Sequence, residues 1–193
     1  MKKLLLGLLL VIVVGSLIGY GVGWYFQQSQ DVGEEIRVVI ADQLPPREIQ
    51  LYFTEPKGAF LIPEIREITG CDEDRDCIHS LLTGLINGSQ KGNLPVLPKE
   101  TKILAVEVEN DLVRVNFSKD LVDFHPGGSL TELLSIYSLV NSLNENLPYV
   151  RQLQILIEGE VQQTLKGHAR IDQPIYADFS FSKPPLTGPV PKK

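Results

Sequence analysis

The sequence predicts an α+β fold: an antiparallel or mixed sheet with two helices packed on one face, preceded by one transmembrane helix. Three observations lead there. Residues 4–26 carry no charged side chain. Beyond them, several short segments alternate apolar and polar residues, the period of a half-buried strand. Two further segments repeat apolar residues at i, i+3, i+4 and i+7, the period of a helix buried along one stripe.

The uncharged run from Leu4 to Phe26 has the length of a membrane span. At ~1.5 Å per residue it reaches about 34 Å as a helix, enough for a hydrocarbon core of roughly 30 Å. It is longer than the apolar core of a cleaved signal peptide, and it ends in Trp24-Tyr25-Phe26, an aromatic anchor for the interface. No cysteine follows it directly to carry a lipid. Residues 1–26 therefore read as an uncleaved signal anchor in the cytoplasmic (inner) membrane, single-pass. Lys2 and Lys3 stay in the cytoplasm, so the C-terminal domain is extracytoplasmic. Gly15, Gly19 and Gly23 recur every four residues, placing three positions without side chains on one helix face. A second membrane helix can pack closely there, so a homo-oligomer is one expected state; the competing reading is that glycine is simply common in membrane helices.

Residues 27–46 are mostly polar and end in Pro45-Pro46, a linker in which 36–40 offers one short extended piece. Residues 47–180 form the globular domain. Glu48–Thr54 places Ile49, Leu51 and Phe53 on one strand face, and Ala59–Ile68 is a second extended segment. Asp74–Ile86 is a helix with Ile78, Leu81, Leu82 and Leu85 inward, ended by Asn87-Gly88. Lys102–Glu109 and Leu112–Phe117 flank Asn110-Asp111 as a hairpin. That register sets Val108 against Val113, Val106 against Val115 and Leu104 against Phe117, all on one face. Ser129 and Glu132 match a capping box opening the second helix, whose stripe is Leu130, Leu133, Leu134, Tyr137 and Val140. Pro148 stops it. Arg151–Glu158 is a strand, and Gly159 turns the chain into a last strand, Val161–Leu165. Residues 181–193 hold four prolines, one glycine and three lysines, and read as a disordered tail.

The order of these pieces resembles one family. Glu48–Phe53 followed by Leu61-Ile62-Pro63-Glu64-Ile65-Arg66 is similar to the opening of the GerMN domain, found in sporulation and spore-germination proteins and envelope lipoproteins. Leu81-Leu82-Thr83-Gly84, then Leu97-Pro98-Lys99-Glu100-Thr101-Lys102-Ile103-Leu104, Val113–Ser118, Ile136–Leu143 and Ile155–Gly159 complete the likeness over residues 47–175. Leu85 departs from the pattern, since the family often has proline after Gly84. The resemblance implies a non-enzymatic interaction or scaffold module of cell-wall or sporulation-type machinery, without catalytic residues. The partner implied is an envelope protein or peptidoglycan; a peptidoglycan- or glycan-binding accessory domain is the alternative.

Charge agrees with that setting. The chain carries 18 basic and 24 acidic residues, net -6; setting Lys2 and Lys3 aside leaves 16 against 24, net -8 beyond the anchor. An acidic exterior disfavours nucleic acid and anionic lipid head groups. In an oxidising compartment, Cys71 and Cys77 are expected to form a disulfide. Within one helix their Cα atoms would stand ~9 Å apart, so Cys71 must precede the helix. A metal site adding His79 lacks a fourth ligand and a known zinc spacing. Asp72, Asp74 and Asp76 alternate as in a calcium loop, but Cys77 and Thr83 occupy the positions that need glycine and glutamate. His125 with Ser129 and Asp120 imitates a triad without a nucleophile elbow. Glu64, Glu67 and Glu100 are the carboxylates available for glycan hydrolysis, and His125-Pro126-Gly127-Gly128 precedes a helix start where an anion could sit. None of these sets is complete, so no cofactor, metal or catalytic residue is expected. Asn141, among apolar helix residues, is expected to satisfy a neighbouring backbone group.

Overall fold

The computed structural model describes Tyr20 and residues 45–69, 71 and 73–182. The expected anchor with Gly15, Gly19 and Gly23, the linker to residue 44, the extended piece at 36–40 and residues 183–193 lie outside the described residues. Among the described residues no helix is long and apolar enough to cross a membrane.

The domain is α+β, with two sheets and three helices. β1 (Arg47–Thr54) and β2 (Leu61–Ile68) form an antiparallel pair, running from Arg47↔Ile68 to Thr54↔Leu61. Their turn is fixed by the Glu55 carboxylate, which accepts the N–H groups of Lys57 (2.9 Å) and Ala59 (3.1 Å). α1 (Asp74–Ile86) follows, with Ile78, Leu81, Leu82 and Leu85 buried. β3 (Ile103–Glu109), β4 (Leu112–Phe117), β5 (Gln152–Ile157) and β6 (Ile175–Tyr176) make a second sheet in that spatial order. β3 and β6 are antiparallel to their neighbours, whereas β4 and β5 are parallel. A parallel pair needs a long crossover. Here it contains α2 (Asp120–Asp123) and α3 (Ser129–Asn146).

The single expected sheet is thus two, and a short third helix is present. The hairpin keeps Val106↔Val115 and Val108↔Val113, but Phe117 pairs with Ile103 rather than Leu104. An irregularity between Ile103 and Ala105 turns Leu104 outward, to 48% exposure. Ser118 pins this kink: its hydroxyl accepts the Lys102 N–H (3.1 Å), and its own N–H donates to the Lys102 carbonyl (2.9 Å). Asn110 takes φ +56°, which the two-residue turn requires.

The expected strand Val161–Leu165 does not form. Gly159 does make its turn, at φ +83°, with reciprocal bonds between Ile157 and Glu160 (2.9 Å each). The chain then leaves the sheet because a buried carboxylate on α3 claims its N–H groups, as described below. β6 pairs with β5 at Gln152 and Leu153 instead.

α3 also departs from expectation. Gly128 is its cap residue, at φ +97°, and no side chain caps the helix, so Ser129 and Glu132 form no capping box. Leu130 is exposed, while Leu134, Ile136, Leu139, Val140 and Leu143 are buried together with Ser135, Ser138, Asn141 and Ser142. The inward polar residues have a shared purpose. β1 has β2 on one side only, and α3 satisfies the other side. The Gln50 N–H donates to Asn146 Oδ1 and the Gln50 carbonyl accepts from Asn146 Nδ2 (2.8 Å each). The Tyr52 N–H donates to Ser142 Oγ (3.0 Å), and Ser138 Oγ donates to the Tyr52 carbonyl. Three residues four apart on the helix thereby replace a missing strand and close an edge that would otherwise invite pairing. Asn141 treats Asp178 alike: its Oδ1 accepts the Asp178 N–H and its Nδ2 donates to the Asp178 carbonyl (2.9 Å each).

Candidate functional site

Cys71 and Cys77 are joined as a disulfide, Cα atoms 4.6 Å apart, with Cys71 ahead of α1 and Cys77 in its first turn. His79 turns to Thr83 Oγ1 (3.5 Å), and no group of metal-ligating side chains exists among the described residues. Asp74 and Asp76 lie in the first turn of α1, where the helix dipole favours carboxylates.

Glu64 and His125, two of the candidate acids and bases, are held by structural hydrogen bonds. Glu64, on β2, is 1% exposed. Its Oε1 accepts from Arg66 Nη2 (2.7 Å) and the Gln90 N–H (2.9 Å), and its Oε2 from Ser89 Oγ (2.6 Å) and Asn93 Nδ2 (3.3 Å). Burial alone would raise its pKa, but the bonds from Ser89, Gln90 and Arg66 outweigh it and hold the carboxyl below its ordinary value. A carboxylate so saturated cannot take a proton from substrate. Glu67 stands across from Glu48 on β1, and Glu100 sits in the loop before β3, so the three carboxylates do not form a pair.

His125 does not meet Ser129 or Asp120. Its Nδ1 accepts the Gly127 N–H (3.0 Å), which leaves the proton on Nε2, 2.9 Å from Ser135 Oγ. The Ser135 hydroxyl donates onward to the Val96 carbonyl. The serine therefore receives a proton from the histidine rather than giving one up, the reverse of nucleophile activation. Both residues are 2% exposed, and burial pushes the imidazole pKa down. His125 is a neutral strut.

Glu132 is the group that sequence reasoning misplaced. Fully buried, its Oε2 accepts the N–H groups of Lys166 (3.1 Å), His168 (3.0 Å) and Ala169 (2.9 Å), while Oε1 meets His168 Nδ1 at 2.8 Å. Burial opposes ionisation, but the bonds from Ala169, His168 and Lys166 prevail and lower the pKa to about 2. One anion thereby shapes the connection between β5 and β6. The usable signal was the absence of any basic side chain positioned on the helix to pair it.

That connection walls a groove of about 520 Å³ against α3. The helix contributes Leu133, Ile136 and Tyr137; the segment from Arg170 to Asp178 supplies the opposite wall. Tyr176 is 63% exposed, and the Tyr137 ring is stacked on Phe181 at 4.2 Å. Phe181, expected to begin the tail, is thus packed on the domain. Arg170 and Asp172 form a two-bonded ion pair (2.6 and 2.9 Å) at the mouth. Asp178 is held low by the Ser180 hydroxyl and N–H, and burial followed by the Asp178 charge raises the Tyr137 hydroxyl. The groove has the volume of a ligand site, roughly 300–1,000 Å³. It contains aromatic faces and hydrogen-bonding forks, and no nucleophile beside a base.

Two sheets and three helices, with Glu64, Glu132 and His125 committed to internal bonds, make up an α+β domain of the GerMN fold. The chain belongs to the Germane family, described as sporulation and spore germination, whose model matches residues 50–163. A crystal structure of a Clostridium perfringens protein, provisionally described as a lipoprotein, is similar at 27% identity and a TM-score of 0.50, covering 68% of this chain and 87% of that one. The first GerMN domain of the sporulation protein GerM from Bacillus subtilis has a TM-score of 0.53 at 16% identity, over 68% of this chain and 96% of that domain. Against the tandem GerMN domains of GerM, the TM-score is 0.53 at 16% identity, and the chain spans 45% of the pair. These last two likenesses concern the fold alone. No curated protein matches the sequence.

Proposed function

We propose that the chain is a membrane-tethered, non-enzymatic interaction or scaffold module of the cell envelope. In this reading residues 1–26 anchor it in the inner membrane, 27–46 space it from the surface, and the domain from residue 47 binds an envelope protein outside the cytoplasm. The observation that carries the reading is the commitment of Glu64, Glu132 and His125 to internal hydrogen bonds, which leaves surfaces and a groove as the means of action. Family membership supports a sporulation or germination setting. The lipoprotein description of the Clostridium perfringens relative supports an envelope location, as does the disulfide, which persists in oxidising compartments. Gly15, Gly19 and Gly23 would let the anchor pair with a second helix. The test is a photo-crosslinking residue placed at exposed domain positions in intact cells. A discrete crosslinked band with an envelope protein is expected; crosslinks to cytoplasmic proteins alone refute the reading.

The groove favours one second reading, a peptidoglycan- or glycan-binding domain. Sugars stack on aromatic faces such as Tyr176, and the Arg170–Asp172 fork and Gln173 offer planar hydrogen-bonding groups. Co-sedimentation with purified peptidoglycan, lost in Tyr176→Ala, supports that alternative, and an unchanged pellet in the variant excludes the groove.

A further inference from the structure

The groove between α3 and residues 170–178 has its charges already spent on the protein itself. Arg170 Nε and Nη2 hold the two Asp172 carboxylate oxygens at 2.9 and 2.6 Å. The Asp178 carboxylate accepts the Ser180 N–H at 2.8 Å, and Asn141 bonds both the N–H and the carbonyl of the Asp178 backbone. An ionic ligand therefore finds no free counter-charge there. The Tyr137 and Tyr176 phenols and the Gln173 amide line the same groove, and none of those bonds consumes them. They are neutral donors and acceptors. Around them Leu133, Ile136, Ile175 and Ala177 supply aliphatic surface. The walls are set before any ligand arrives, since Tyr137 is stacked on Phe181 at 4.2 Å and the Asn141 fork fixes Asp178. Fixed walls lower the ordering cost of binding.

From this lining we infer that the groove binds an uncharged N-acetylhexosamine unit of a glycan and selects it by its acetamido group. Tyr176, 63% exposed, is the face on which the sugar ring stacks. The acetamido methyl covers aliphatic surface, and the acetamido N–H and carbonyl are met by the phenols and the Gln173 amide. A plain hexose carries a hydroxyl where the acetamido group would be. Against Leu133 and Ile175 that hydroxyl gives up its water and gains no partner, which costs affinity. A site with neutral polar groups around an apolar lining thus separates two sugars of the same shape and charge by one substituent. The inference rests on the glycan reading above and deepens it by naming the group that is recognised.

The test titrates the full-length chain, in detergent micelles, with triacetylchitotriose and with cellotriose, which differ only in bearing acetamido or hydroxyl groups. Calorimetry should find the acetylated sugar bound at least about tenfold more tightly. Hydrogen–deuterium exchange should then slow within residues 170–178. Tyr176→Ala should weaken the acetylated sugar about tenfold, and because that ring is exposed the variant keeps its fold. Gln173→Leu should narrow the gap between the two sugars, a change in selectivity that a merely structural role for Gln173 would not produce. Equal affinity for the two sugars, or undiminished binding of the acetylated one by Tyr176→Ala, overturns the inference while leaving a glycan-binding domain in place. Binding of neither sugar overturns it as well. The glycan reading itself fails separately, when wild-type protein does not co-sediment with peptidoglycan.

Discussion

Replacing Glu132 by Gln should remove most of the force that folds the β5–β6 connection onto α3. The carboxylate is fully buried and has four donors. Its pKa of about 2, against 4.5 unperturbed, corresponds to roughly 3 kcal/mol of folding stability at neutral pH, at ~1.36 kcal/mol per unit. The amide can keep one acceptor oxygen on the backbone N–H groups but carries no charge to strengthen those bonds, so the loss should be of that order, about 3 kcal/mol. The pH dependence identifies the cause. The folded pKa lies below the unfolded one, so the contribution is complete above about pH 5 and drains away as pH falls from 4.5 towards 2. By pH 3 about 2 kcal/mol of it should already be gone from the wild type. Urea denaturation of both proteins from pH 7 to pH 3 measures this, because the other carboxyls are common to the pair and cancel. A gap that stays constant across that range would refute the electrostatic reasoning, and a gap below about 1 kcal/mol at pH 7 would show that the connection is held by other contacts.

Arg66→Met should destabilise by about 3–5 kcal/mol in thermal or urea unfolding, because it strands the buried Glu64 carboxylate; changing both residues to apolar ones should recover much of the loss. Asn146→Ala should cost about 2 kcal/mol and speed amide exchange at Gln50, whose N–H and carbonyl it pairs. Mass spectrometry of non-reduced protein should find the domain two hydrogens lighter than the dithiol, and reduction should lower stability by about 2 kcal/mol, since only a short loop is closed.

Much of the fold was legible wherever one period dominated. Asp74–Ile86 needed only Ile78, Leu81, Leu82 and Leu85 on one stripe, and the β3–β4 hairpin was fixed by valines that match across the turn. The kink at Leu104 escaped because it depends on Ser118, a residue outside the pattern. α3 was misread for a related reason. An apolar stripe locates a buried face only when polar residues point outward, and here Ser138, Ser142 and Asn146 point inward to finish β1. The connection after Gly159 had no local code at all: its order comes from a carboxylate 34 to 37 residues away. The Tyr137–Tyr176 groove inherits that dependence, so its aromatic residues were visible in the sequence but their convergence was not.

In the proposed function the domain works outside the cytoplasm, tethered by its N-terminus. Protease added to spheroplasts expressing the full-length chain tests this directly. Digestion of the domain while a cytoplasmic marker stays intact, with an N-terminal fragment left in the membrane pellet, is the predicted result. A domain fully protected until the inner membrane is lysed would contradict it.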